Sequence, residues 1–213
     1  MFRQYRQLQK DEFIIVGGDC SQGGADSNVA QFYSVTLQDV PLIYHSKGVA
    51  ATMTTTIYPV LERIADFTGI KPLVGFERNM GGASEMERLA VLNRLGKYVL
   101  YTMPKIGSTV SDTTTTHYGF DTTSLSRPML LGGLKEIIDV KGIIIYDKKT
   151  IEEMSLFIVN RQGKPEAAKG AHDDTVIALA VALFMQRNAI PNRIQFYTPP
   201  SNDIAKKKWS IGK

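Results

Sequence analysis

Residues Phe13-Ile14-Ile15-Val16-Gly17-Gly18 form an unbroken apolar run that stops on a carboxylate, Asp19. A short run with no polar alternation is the pattern of a strand covered on both faces, so it belongs at the centre of a sheet with layers above and below it. A chain of 213 residues that is 43% hydrophobic can bury a full core around such a strand, and its length fits one α/β domain better than two.

The rest of the chain supplies the layers. The turn-rich stretch from Ser21 to Asn28 leads to a second strand over Val29 to Thr36, and Gln38 to Pro41 leads to a third over Leu42 to Ser46, which together make an antiparallel meander. Thr55 or Thr56 opens a helix whose stripe of Ile57, Val60, Leu61, Ile64 and Phe67 stops near Gly69. A strand from Pro72 to Glu77 follows, then a helix from Ala83 to Leu95 with Gly96 as its stop, and a strand from Tyr98 to Met103 ended by Pro104. Gly107 to Thr116 is rich in Ser and Thr and lacks periodicity, which predicts a mobile surface loop. Arg127 to Val140 and Thr150 to Phe157 read as helices around a short strand, Ile143 to Tyr146. Ile158 to Gly170 is a hairpin or an extended loop, and an alanine-rich helix begins at Thr175.

The connections after Ser46 are long enough for parallel crossovers. The first strand then lies centrally, antiparallel to the second and parallel to the fourth, and Asp19 and Glu77 emerge side by side. Neighbouring strands are about 4.8 Å apart, so carboxylates at adjacent strand ends can share one ion or bridge two. Asp173-Asp174, just before the last helix, supplies a third acid. Carboxylates held this close repel unless cations neutralise them, and their hard oxygens suit Mg²⁺ or Mn²⁺. Each acid also has a plain structural reading: Asp19 in an Asx-turn, Glu77 paired with Arg78 or Lys71, and Asp173 or Asp174 as a helix cap.

Four segments in this order resemble the nuclease domain of the large terminase subunits, the DNA-packaging motors of tailed bacteriophages. They are Phe13 to Asp19; Val74 to Asn79; Tyr118-Gly119-Phe120 with Thr122 to Ser124 and Arg127-Pro128; and Gly170-Ala171-His172-Asp173-Asp174-Thr175-Val176. The resemblance spans about Phe13 to Arg187 and implies a ribonuclease H-like fold, a central mixed sheet flanked by helices. It implies metal-dependent cutting of concatemeric double-stranded DNA to genome lengths, by two-metal phosphodiester hydrolysis with the ions about 3.5 to 4 Å apart. By position Asp19 bridges the metals, Glu77 ligates one, and Asp173-Asp174 supply the remaining ligand, with Asp174 favoured as the direct one. His172 supports a carboxylate or a water. The implied partners are the viral portal protein and the small terminase subunit, in the cytoplasm of the infected bacterial host.

A packaging motor also needs an ATPase, and the sequence contains no Gly-x-x-x-x-Gly-Lys-Ser/Thr phosphate loop. Residues 13–188 are therefore expected to be a nuclease domain whose motor domain lies elsewhere, with 1–12 as a linker remnant and 189–213 as a basic carboxy-terminal tail. The net charge of +4 is concentrated in that tail, where Lys206, Lys207, Lys208 and Lys213 oppose Asp203. Arg78, Lys105, Arg127, Lys164 and Lys169 are the candidate DNA-backbone contacts near the acidic rim. The single Cys20 allows no internal disulfide and reads as a small buried residue. No run approaches the roughly 20 apolar residues of a membrane helix, and no signal peptide is apparent, so a soluble cytosolic protein is expected. Two other readings remain: a different ribonuclease H-like enzyme, such as a junction resolvase or integrase-type transferase, and a non-enzymatic module that docks on the portal through its tail.

Overall fold

The computed structural model describes residues 1–22, 26–103, 117–160, 163 and 165–189. The apolar run becomes β2, Ile14–Asp19, in a six-stranded sheet. β2 pairs antiparallel with β3, Asn28–Ser34, and parallel with β5, Leu73–Phe76, as its unbroken apolar character requires. β4, Asp39–Ser46, continues the meander, β1, Phe2–Gln4, pairs with β4, and β6, Val99–Leu100, pairs with β5. The strand order is β1-β4-β3-β2-β5-β6.

The pleat divides the sheet's side chains between two layers. Ile14 and Val16 of β2, with Phe32, Leu42 and Phe76, pack under α1, Ala50–Thr68, and α2, Gly82–Leu92. Phe13 and Ile15, with Tyr33 and Leu73, pack under α3, Ser126–Asp139, and α5, Asp174–Ala189. The stretch Val176 to Met185 of α5 is apolar all round because it is covered on most sides: the sheet lies beneath it, and α3 and α4, Lys148–Ser155, flank it. Gly17 lets it settle directly on the sheet backbone, since a Cβ there would meet the Ala178 carbonyl oxygen at 2.2 Å and the Ala182 nitrogen at 2.5 Å. No helix among the described residues is long and apolar enough to cross a membrane.

Several boundaries differ from the sequence reading for identifiable reasons. The expected linker at 1–12 is part of the domain: Phe2 packs its ring against Phe32 and Tyr44, Leu8 is buried, and Arg6 is clamped between Glu12 and Asp39. α1 starts earlier than Thr55 because Met53, four residues before Ile57, extends the buried stripe. Ile143 to Tyr146 forms a single bridge from Ile144 to Asp39 rather than a strand. From Pro41 onward, the open edge of β4 is already taken by the chain around β1 and Tyr5. β6 is shorter than Tyr98 to Met103 because the 118–120 segment takes the place beside β5, with Phe120 bridging Glu77. Of the two readings for Ile158 to Gly170 the hairpin is observed, β7, Phe157–Val159, with β8, Pro165–Ala167. The Gly107 to Thr116 loop and the tail from 190 onward lie outside the described residues.

Candidate metal centre

β2 and β5 run parallel and in register, Gly18 beside Phe76, so the residues that follow, Asp19 and Glu77, leave the sheet together. The Glu77 amide donates to the Gly18 carbonyl at 2.7 Å, and on its other side Phe120 exchanges backbone bonds with Phe76 and Arg78, both 2.9 Å. Glu77 is thus fixed between two neighbours. Its carboxylate oxygen Oε1 accepts from Asn79 Nδ2 at 3.2 Å.

The third element is the start of α5. The Asp174 carboxylate accepts from the Ser27 amide at 2.9 Å, which ties it to the loop between β2 and β3. Its position in the first turn also sets its charge at the favourable end of the helix dipole. The next residue, Thr175, donates both its amide, at 2.9 Å, and its hydroxyl, at 2.5 Å, to Glu153 Oε2 of α4. Asp173 faces a different partner, pairing with Arg127 at 2.7 Å.

Asp19, Glu77, Asp173, Asp174, Arg127, His172 and Asp26 line one cavity of about 290 Å³. The Asp19 carboxyl is pushed well above the usual range, first by burial and then by Glu77 and Asp174 beside it. Asp174 is also raised, chiefly by burial, with Glu153 and Asp26 adding to the repulsion and the Ser27 amide opposing it. Both shifts describe a pocket that resists holding its own negative charge. Divalent cations relieve that directly, and a set of carboxylate oxygens matches hard ions.

The structure therefore gathers Asp19, Glu77, Asp173, Asp174 and His172 at one site but separates their surroundings. Asp174 and Asp173 both add to the repulsion on Asp19, but Asp173 is also paired with Arg127. His172 Nδ1 lies 3.4 Å from Asp26 Oδ1, and Asp26, His172 and Asp174 present donor atoms within 4.8 Å of one another. Asp26 was not among the expected site residues, because its sequence signal is only that of a turn. Glu153 is likewise absent from the expected site residues; it lies within α4, where it is buried and also pairs with Lys149 at 3.4 Å.

Of the candidate DNA contacts, Arg127 lines the cavity and Lys169 is exposed. Arg78 is instead a brace, with Nη1 donating to the Tyr118 carbonyl at 2.7 Å and Nε lying 2.8 Å from Asp121. Lys105 and Lys164 lie outside the described residues. Cys20 is buried and its thiol is pushed up, mainly by that burial, which leaves it a packing residue rather than a nucleophile.

No protein-family model and no curated protein matches the chain. Solved structures do. The large terminase nuclease of thermophilic phage G20c with bound magnesium superimposes with a TM-score of 0.63 at 15% identity, covering 86% of each chain. The Thermus phage P74-26 large terminase nuclease domain gives 0.60 at 15% identity, covering 86% of this chain and 85% of its own. The fold is that of the large terminase nucleases. It is a ribonuclease H-like fold, with the mixed sheet and flanking helices described above. The large terminase of another thermophilic bacteriophage matches with a TM-score of 0.56 at 14% identity over 88% of this chain but only 42% of its own length. The G20c nuclease also has structures with bound cobalt and with bound zinc.

Proposed function

We propose that the chain is a divalent-metal-dependent endonuclease that cuts concatemeric double-stranded viral DNA to genome lengths during packaging. The observation that carries this reading is the convergence of Asp19, Glu77 and Asp174, from two strand ends and a helix start, in one cavity where Asp19 resists ionisation. The terminase-nuclease fold, and the metals bound by the G20c relative, support it.

Asp19, Glu77 and Asp174 are the residues that would hold Mg²⁺ or Mn²⁺, with Asp26 and His172 as further donors around Asp174. When bound, a pair of such ions supplies Lewis-acid activation of a water and neutralises the leaving 3′ oxygen. The chain does the remainder. The parallel β2–β5 register supports Asp19 and Glu77 acting side by side, and the Ser27 and Glu153 bonds anchor the start of α5, which brings Asp174 to the same cavity. Arg127, held at the cavity by Asp173, offers a cation to the entering phosphate. Asp173 acts here by positioning Arg127 rather than by binding metal. Exposed Lys169 contacts the DNA backbone, a role the sequence alone also assigns to Lys105 and Lys164. In the infected bacterial host's cytoplasm the domain works with an ATPase motor domain, the small terminase subunit and the portal.

Conversion of supercoiled plasmid to nicked and linear forms tests this with Mg²⁺, Mn²⁺ or EDTA, for the wild type and Asp19→Asn. Cutting that needs metal and disappears in Asp19→Asn is the expected outcome. Cutting that survives the substitution or proceeds in EDTA rejects the carboxylate-metal mechanism.

A further inference from the structure

Directly after Glu77 the chain makes a tight turn through Arg78, Asn79, Met80 and Gly81 before α2 begins at Gly82. Met80 sits in the left-handed region at φ 50°, ψ 34°, followed by Gly81 at φ 97°. For a residue with a Cβ that conformation costs energy, and glycine or asparagine would occupy it more cheaply. Among the described residues the other non-glycine positions of positive φ are Asp11, Gln38 and Lys141, all polar. Met80 is the apolar one, it is 66% exposed, and it alone of the four lines the metal cavity. Folding gains nothing from a side chain that is strained at its backbone and open to solvent. Strain of this kind collects where a surface must meet a ligand.

The turn is also closely packed and hydrogen-bonded. A Cβ on Gly82 would come within 1.7 Å of the Glu77 carbonyl oxygen, and Asn79 bonds the Glu77 carboxylate and approaches the Thr122 carbonyl at 3.4 Å. Met80 is therefore held at a set place relative to Glu77. A phosphodiester bound beside the carboxylates places its flanking sugars and base edges at the cavity rim, and methionine is one of the apolar side chains that proteins press into the minor groove.

We infer that Met80 is a substrate-positioning residue that packs against the minor-groove face of duplex DNA next to the scissile phosphate. This rests on the nuclease reading above. The test compares wild type, Met80→Asn and Met80→Leu. Affinity for a short fluorescent duplex is measured in Ca²⁺, Mn²⁺ affinity and melting temperature are measured without DNA, and hydrolysis of bis(p-nitrophenyl) phosphate provides a substrate without grooves. Met80→Asn is expected to melt no lower than wild type and to bind Mn²⁺ and hydrolyse the small ester equally well. It should bind duplex about tenfold more weakly, as expected for losing the burial of one methionine side chain, and Met80→Leu should recover most of that loss. Duplex affinity unchanged in Met80→Asn overturns the inference while leaving the nuclease reading intact. A parallel loss of Mn²⁺ affinity also overturns it, because Met80 would then act only by holding Glu77. A wild type that neither binds nor cuts duplex overturns both.

Discussion

Gly17→Ala is the substitution in which packing and function are most tightly joined. The added Cβ would lie 2.2 Å from the Ala178 carbonyl oxygen, 2.5 Å from the Ala182 nitrogen and 3.0 Å from the Ala182 Cα. All three are helix backbone, so no side chain can swing aside, and α5 must retreat by about 1 Å to reach an ordinary carbon–oxygen contact. Overpacking of this kind costs about 1–3 kcal/mol, and rigid backbone on the receiving side puts this case near 3. For a chain of this size that lowers the melting temperature by about 6–12 °C, since each kcal/mol is worth roughly 2–4 °C. The same retreat carries Asp174 away from Asp19, and functional sites tolerate only about 0.5 Å of misplacement. Mn²⁺ affinity, measured by calorimetric titration below the melting range, should therefore fall as well. Gly132→Ala on α3 is the control: nothing lies within 4 Å of its added Cβ, and the helix should gain a few tenths of a kcal/mol or more. A Gly17→Ala protein that melts within about 2 °C of wild type and binds Mn²⁺ equally well would refute the close seating of α5 on β2.

Three further perturbations address separate parts of the site. Burial, then Glu77 and Asp174, raise the folded-state pKa of Asp19, so this group's contribution to stability is full below its unfolded value near 4 and is lost as pH rises through the folded value. Asp19→Asn should therefore raise the metal-free melting temperature at pH 7, and the gain should shrink toward pH 4 or under saturating Mn²⁺; a lower melting temperature at pH 7 would contradict the assignment. Glu153→Ala leaves the buried Thr175 amide and hydroxyl without their acceptor, at about 1–3 kcal/mol in urea denaturation, and should weaken Mn²⁺ binding through Asp174. Retained stability and affinity would show that α5 is held without it. Arg78→Ala should cost about 1–2 kcal/mol by removing a brace, whereas Lys169→Ala should leave stability within about 0.5 kcal/mol and reduce duplex affinity and its salt dependence. Equal effects on stability would erase that distinction between the two cations.

The meander and the parallel β2–β5 pair are legible in the sequence because their signals are local: apolar runs, turn residues between them, and Gly69 in a left-handed cap where α1 stops. From that topology the meeting of Asp19 and Glu77 follows without any structure. α2 ends at Leu92 rather than Leu95, since the Asn93 side chain bonds the Tyr98 carbonyl and turns the chain before Gly96. β1 escapes notice because Phe-Arg-Gln has no strand pattern of its own and is defined by the β4 edge it completes. Asp26, Glu153 and Met80 are harder still. Asp26 and Glu153 take their places from contacts across the fold, to His172 and to Thr175, and no local spacing encodes such contacts; Met80 owes its place to a left-handed turn that no glycine or asparagine at that position announces. Arg78 shows the converse: its sequence position beside Glu77 suggests a DNA contact, but Tyr118 and Asp121 engage it.

The central claim is that Asp19, Glu77 and Asp174 together hold divalent metal. Anomalous scattering from crystals soaked in Mn²⁺ tests it most directly. The account predicts a peak in contact with all three carboxylates, lost in Asp19→Asn crystals. No peak, or one confined to Asp26 and His172 and persisting in Asp19→Asn, would contradict it.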